Sequence, residues 1–333
     1  MNMPKEFEVL KDYLLEKPEP LRETLSVQII LGRNIMDYTV LRTEETRELN
    51  TAVTPLSMKK PDPTLRVVFL GGKQKAAETR ALGSILRTAT KTNKINTPIC
   101  FLKDKLCMRC PRCALFGAVS TRKGAQELNF RHRIEYSSAF SLLPYEEIEE
   151  SLAFNAIQES TTLVGQALGE TPSVAPANLF PSIVTLNTVS WKEFLLTLKT
   201  LLATRSYGGE TRTKGDVSNI ILGIVGGWEE IISSLELTLE LYDVYYSTTG
   251  KIDLNTIKAI LDAYKTRASF IDKVKVLMPD EVLNVIKAVQ QFDLSKEFLE
   301  ESYKDVDEFI EKVKALEEIQ AGDTEIKSKK GKK

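Results

Sequence analysis

The chain has a single histidine, His132, among 333 residues. One imidazole leaves no Ser-His-Asp set with a base to spare and no His-rich catalytic metal site. A Gly-x4-Gly-Lys-Ser/Thr phosphate loop is missing, and Gly208-Gly209 and Gly226-Gly227 lack the spacing of a dinucleotide fingerprint. No apolar run approaches the ~18 residues of a membrane helix, and Met1–Pro20 carries charge where a signal peptide needs an apolar centre. The common hydrolase, nucleotide-hydrolysing and membrane classes therefore fall away, and the expected setting is the cytoplasm with no membrane partner. Cysteine is scarce as well: there are four, all inside one short stretch. What remains is an ordinary globular composition, 42% apolar and 27% charged with 13 Pro and 17 Gly, which excludes collagen-like and disordered readings. The length suits one large domain carrying insertions, or a core with an appended lobe.

Net charge is −1, but it is unevenly spread. Residues 228–333 hold 16 basic and 22 acidic side chains, against 29 basic and 24 acidic in residues 1–227. Within the latter, residues 73–133 carry 14 Lys/Arg and only Glu78, Asp104 and Glu127. A concentrated positive segment is the electrostatic footprint of a protein that holds a phosphate backbone; a solvated charged face is the alternative.

Apolar periodicity outlines the elements. Leu25–Leu41 reads as one or two core strands with Gly32-Arg33-Asn34 as a bulge, and Val67–Leu70 as a short strand closed by Gly71-Gly72. Lys73–Thr88 reads as a helix whose Lys73, Arg80 and Arg87 share one face. Leu128–Leu142 alternates most clearly: Phe130, His132, Ile134 and Tyr136 fall on one face, Arg131 and Arg133 on the other. Phe154–Thr161 and Ile183–Val189 are β-like and could pair as a long hairpin around the Gly/Pro/Ala-rich residues 164–181. Trp191–Thr204 is an amphipathic helix, followed by the Gly-rich loop Arg205–Gly215 and the strand Ile220–Val225. Beyond Gly226-Gly227, Glu229–Tyr246, Leu254–Lys265, Asp280–Phe292 and Leu294–Ile319 suggest three or four helices, the first also compatible with period two. Residues 321–333 read as a disordered basic tail.

The cysteines are spaced Cys100-x6-Cys107-x2-Cys110-x2-Cys113 and flanked by Lys103, Lys105, Arg109 and Arg112. Four thiolates complete a tetrahedral zinc site, and neighbouring cations favour the thiolate form. One structural zinc also accounts for order in a segment poor in apolar residues. Cysteines at every third position resemble half of an iron–sulfur pattern too, but the remote Cys100 and the surrounding charge favour zinc. His132 is an alternative fourth ligand in place of Cys100, although its register with Phe130, Ile134 and Tyr136 reads as a core position.

Three segments, Cys107-Met-Arg-Cys-Pro-Arg-Cys-Ala-Leu-Phe-Gly117, Phe130–Tyr136 and Tyr207-Gly-Gly-Glu-Thr-Arg-Thr-Lys-Gly215, together resemble the type I-D CRISPR-associated backbone subunit. That subunit belongs to the Cas-seven family of the repeat-associated RNA-binding superfamily, and the resemblance spans roughly residues 20–245. It implies an α+β fold: a ferredoxin-like, RNA-recognition-type antiparallel core over 20–227, with a basic zinc-binding insertion at 72–126 and a thumb-like hairpin at 152–190. The helical part over 228–320 rests on the apolar pattern described above rather than on the resemblance. The implied function is to bind the guide RNA (crRNA) of an antiviral interference complex, polymerise head to tail along it, and present it to target nucleic acid beside other subunits. No catalytic residue is implied, and cleavage of a paired target strand is left open.

Holding RNA by its phosphates needs cations spread over several loops. The candidates are Lys73, Lys75, Arg80 and Arg87 of the helix; Arg109, Arg112, Arg122 and Lys123 of the cysteine-rich segment; Arg131 and Arg133; and Arg205, Arg212 and Lys214 of the Gly-rich loop. The chain lacks a clear aromatic signature for base stacking, so backbone gripping is the expected mechanism. The competing reading is a stand-alone zinc-containing nuclease or RNA-processing enzyme, with Asp37, Glu44, Glu45 or Asp216 holding a divalent ion.

Overall fold

The apolar run after Leu25 becomes the central strand of the molecule, β1 (Ser26–Ile35), buried along nearly its whole length. The computed structural model containing it describes residues 1–43, 46–102, 105–119, 129–157, 164–208, 215–248, 250 and 252–330. The hairpin β2 (Thr51–Pro55) and β3 (Pro63–Phe69) leads into α1 (Gly71–Thr92). The cysteine-rich lobe holds α2 (Pro111–Phe116), β4 (Ala118–Val119) and β5 (Asn129–Phe130). Then come β6 (Ile134–Tyr136), β7 (Ala139–Phe140), α3 (Tyr145–Ile148), β8 (Glu149–Ile157), β9 (Val164–Val174), β10 (Leu179–Asn187), α4 (Trp191–Ala203) and β11 (Val217–Gly227). The C-terminal part comprises α5 (Ser234–Ser247), α6 (Leu254–Lys265), β12 (Lys275–Leu277), α7 (Pro279–Gln291) and α8 (Lys296–Lys330). The period-two ambiguity at Leu235–Leu241 resolves to helix, begun by a capping box between Ser233 and Glu236. The last helix continues through 321–330, into the segment expected to be a tail.

The main sheet is antiparallel in the order β12-β11-β1-β10-β6. Successive side chains of a strand face opposite ways, and both sets are covered here. Val27, Ile29 and Leu31 pack into a core shared with α1, α4, α7 and the start of α8. Ile30, Ile183 and Val225 face Leu237, Leu241 and Tyr242 of α5 and Leu261 and Tyr264 of α6. A sheet sandwiched between helical layers offers no open face for stacking bases. The bulge expected at Gly32-Arg33-Asn34 is absent, since those residues pair in regular register with β10 and β11. The one register shift between β1 and β11 falls at Ile30/Leu31, where Leu222 of β11 is the extra residue.

Two sequence expectations need correction. Of the run Leu128–Leu142, the described residues 129–142 hold three short strands rather than one, because they serve three partners in turn: β5 pairs with β4, β6 with β10 and β7 with β3. The long hairpin is formed by β8 and β9, not by Phe154–Thr161 with Ile183–Val189. Ile183–Val189 falls in and just after β10, a central strand between β1 and β6. Gly169 and Pro172 made 164–174 read as loop, yet β9 is the edge strand of a two-stranded ribbon, bridged on its outer side to Thr39 at Val174, and proline is tolerated on an edge.

Candidate metal centre and nucleic-acid interface

The four cysteine sulfurs converge to within 4.8 Å of one another. Cys100 Sγ lies 3.5 Å from Cys113 Sγ and 3.7 Å from Cys110 Sγ, too far for a disulfide. A tetrahedron of sulfurs 2.3 Å from a central ion has edges of about 3.8 Å, so the cage fits a tetrahedral thiophilic cation. Local backbone builds it. Met108 takes a left-handed φ of 62° so that Cys107 and Cys110 point inward, and Cys110 then caps α2 with Pro111 at its first position. The Cys107 N–H donates to Cys100 Sγ at 3.3 Å and the Arg109 N–H to Cys107 Sγ at 3.4 Å. Hydrogen bonding from Cys107, Cys110 and Cys113 draws the Cys100 thiol well below its ordinary pKa, while bonding to Cys100 pushes Cys110 up. Thiols crowded this closely must share protons unless a cation replaces them. Among the described residues these cysteines are the one convergent group of three or more metal-ligating side chains. His132 stands apart, its Nε2 4.0 Å from Glu135.

The lobe is bolted to the C-terminal helix. Cys110, Cys113, Ala114 and Phe130 pack with Val306, Phe309, Ile310 and Val313 of α8, and Arg109 pairs with Asp307 at 2.8 Å. The acidic helix thus covers the flank of the basic lobe.

The thirteen candidate RNA contacts separate once placed. Arg133 is 2% exposed; its guanidinium is spent on Glu193, the Thr188 and Ala114 carbonyls and the Phe309 ring. It joins the sheet to α4 and α8 rather than lining a groove. Arg112 is 3% exposed and donates to Cys100 Sγ at 2.9 Å, which turns it into the metal cage. Arg87 is exposed and donates to the Cys100 carbonyl and Ser84. Arg131, exposed, gathers with Arg22 around Glu135, and nearby Lys75 is half-buried with its pKa lowered by burial. Arg205 pairs with Asp216 at 2.8 Å. Arg122, Lys123, Arg212 and Lys214 lie outside the described residues.

Lys73 and Arg80 do meet, on a cleft of about 220 Å³ between the first turns of α1, the end of β3 and the chain at Tyr207-Gly208. Arg42 lines the same cleft, a residue the sequence reading missed because it stands alone in a polar stretch. Neither Lys73 nor Arg80 makes an ion pair among the described residues, and the amino end of α1 adds its dipole to the positive field.

A buried polar network roots this cleft. Arg33 and Glu78 are both 0% exposed and pair at 2.8 Å. Glu78 Oε1 also accepts from the Tyr207 hydroxyl at 2.7 Å, and Arg33 donates to Asn219 Oδ1 at 2.9 Å and Ser182 Oγ at 3.2 Å. Strand β1, helix α1 and the foot of the Gly-rich loop are thereby tied at one point. The Tyr207 N–H donates to the Gly215 carbonyl at 3.1 Å, bringing the two ends of residues 208–214 together. Gly215, at φ +60°, leaves only 2.4 Å between a would-be Cβ and Gly208 N, so no other residue closes the loop this tightly. Of the carboxylates considered for catalysis, Asp216 is held by Arg205 and Asp37 accepts from the Tyr38 N–H. Glu44 and Glu45 lie outside the described residues. No helix among the described residues is long and apolar enough to cross a membrane.

In fold, the chain is similar to the solved structure of Csc2 from Thermofilum pendens: 18% identity, TM-score 0.66, covering 95% of this chain and 98% of that one. A chain of a CRISPR RNA-guided surveillance complex aligns at 11% identity and TM-score 0.48, covering 79% of this chain and 99% of the other. No curated protein matches. The family model described as Csc2 Crispr matches residues 13–330, and the chain belongs to that CRISPR family.

Proposed function

We propose that this chain is the guide-RNA-binding backbone subunit of a type I-D CRISPR interference complex. Copies polymerise head to tail along the crRNA and present it, beside other subunits, for pairing with target nucleic acid. The observation that carries this reading is membership of the Csc2 CRISPR family across residues 13–330. The strand and helix order β1-α1-β6-β10-α4-β11, with the strands side by side as β11-β1-β10-β6, supports a ferredoxin-like core. Because both sheet faces are covered, RNA is gripped by its phosphates at the margin of the sheet, with Lys73, Arg80 and Arg42 forming one contact cluster and Arg131 and Lys75 a second. Arg212 and Lys214, of the loop whose ends Tyr207 and Gly215 join, are carried as further phosphate contacts on the sequence reading alone. The ribbon β8–β9 serves as the thumb that reaches a neighbouring copy, and the cage Cys100, Cys107, Cys110, Cys113 holds one structural zinc.

Sequencing the RNA retained by the assembly purified with its partner subunits tests the function. Guides of discrete length are expected; random cellular fragments, or none, would contradict it. Elemental analysis of the same preparation is expected to give about one zinc per chain, whereas a visible-absorbing iron cluster would sink the zinc assignment.

A further inference from the structure

We infer that Arg112 is an outer-shell ligand of the metal cage: its guanidinium donates to the Cys100 thiolate and balances the charge of the metal–thiolate centre, and it does not touch RNA. The inference rests on the zinc reading. Four thiolates around a divalent cation carry a net charge of −2, and α2 and α8 bury half of that cage. A charge of that kind is costly to bury unless a counter-charge or donors accompany it. Arg112 Nη2 supplies both at 2.9 Å from Cys100 Sγ, while the Cys107 N–H supplies a second donor to the same sulfur.

The sequence makes room for this contact at a helical cost. Gly83 lies in the middle of α1, where alanine is the better helix former. A Cβ at that position would come within 2.8 Å of Arg112 Nη1 and 3.3 Å of its Cδ. Arg87, one turn on, donates to the Cys100 carbonyl at 3.4 Å and holds the same cysteine from the backbone side. Helix α1 thus supports the metal lobe through a glycine that admits the guanidinium and an arginine that fixes its target. Arg112 acts through the sulfur, as a positioning residue.

The test compares wild type, Arg112→Lys, Arg112→Met and Gly83→Ala in the full-length protein. It reads zinc affinity by chelator competition and the thiolate-to-metal charge-transfer band of the cobalt-substituted forms. Losing an outer-shell donor weakens metal binding by about ten- to hundredfold, and that is the effect expected for Arg112→Met, with the cobalt band moved to lower energy as the freed sulfur becomes a better donor. Arg112→Lys, which keeps the charge but not the fork, recovers part of both. Gly83→Ala shifts both readouts in the direction of Arg112→Met, by less, despite a better helix former. A merely packing arginine would leave the band of Arg112→Met at the wild-type position, and wild-type-like affinity and band in that variant overturn the inference alone. A wild-type chain that takes up neither zinc nor cobalt overturns the metal reading beneath it.

Discussion

Removing the Glu78 carboxylate exposes how the cleft is held. In Glu78→Ala the Arg33 guanidinium stays fully buried without its counter-ion, and the Tyr207 hydroxyl loses its acceptor. At the observed 2.8 Å, unit charges attract by about 6 kcal/mol at an effective dielectric constant of ~20. Deleting one partner of a buried pair costs about 3–5 kcal/mol. We take the loss as about 4 kcal/mol, a large share of the ~5–15 kcal/mol that holds a domain together. Glu78→Gln keeps the volume and one acceptor, so about half that loss is expected, which leaves a folded protein to study. Replacing both partners, as in Arg33→Met with Glu78→Leu, removes the stranded charge and restores most of the stability. Urea denaturation of the four proteins reads the ordering directly. RNA affinity of Glu78→Gln should fall while the slope of affinity against salt stays as in wild type, because a loop foot is loosened and no phosphate contact is deleted. A Glu78→Gln loss below about 0.5 kcal/mol, or a double variant no more stable than Glu78→Ala, would refute the argument that this ion pair anchors the loop.

Lys73→Glu with Arg80→Glu should weaken unrelated RNAs alike and flatten the salt slope by about 1–2 units, at ~0.7 per phosphate contact on a single strand; Arg133→Met should instead cost stability and leave that slope unchanged. A sequence-selective loss in the first variant would show that bases, not phosphates, are being read. The lone His132 gives one imidazole signal by NMR, and its midpoint is expected below 6.5, since burial and then Lys75 disfavour its charged form. A folded value below the unfolded one means the unfolded chain takes up this proton first. Its small contribution to stability is therefore present above pH 6.5 and lost as pH falls through the folded value. A His132 signal that fails to titrate until metal is stripped would make it a ligand in place of Cys100.

The cysteine cage was legible in the sequence because metal ligation depends on spacing along a short segment, and Met108 and Pro111 set that spacing locally. The helices were legible for the same reason: α4 and α6 obey their own periodicity wherever they pack. What escaped was set by partners far along the chain. Nothing near Arg133 announces Glu193, sixty residues on, so an alternating strand pattern assigned that arginine to solvent. Arg112 likewise looked like one more cation in a basic run until α1 brought Gly83 against it. Arg42 gained its neighbours Lys73 and Arg80 only through the β2–β3 hairpin and the placement of α1.

Native mass spectrometry of the protein with single-stranded RNAs of graded length tests the central claim most directly. A subunit that polymerises head to tail along a guide adds whole copies as the RNA lengthens, because such contacts repeat without closing. The account predicts a ladder of complexes whose copy number rises in regular steps with RNA length. One copy, or a fixed dimer, on every RNA regardless of length would contradict it.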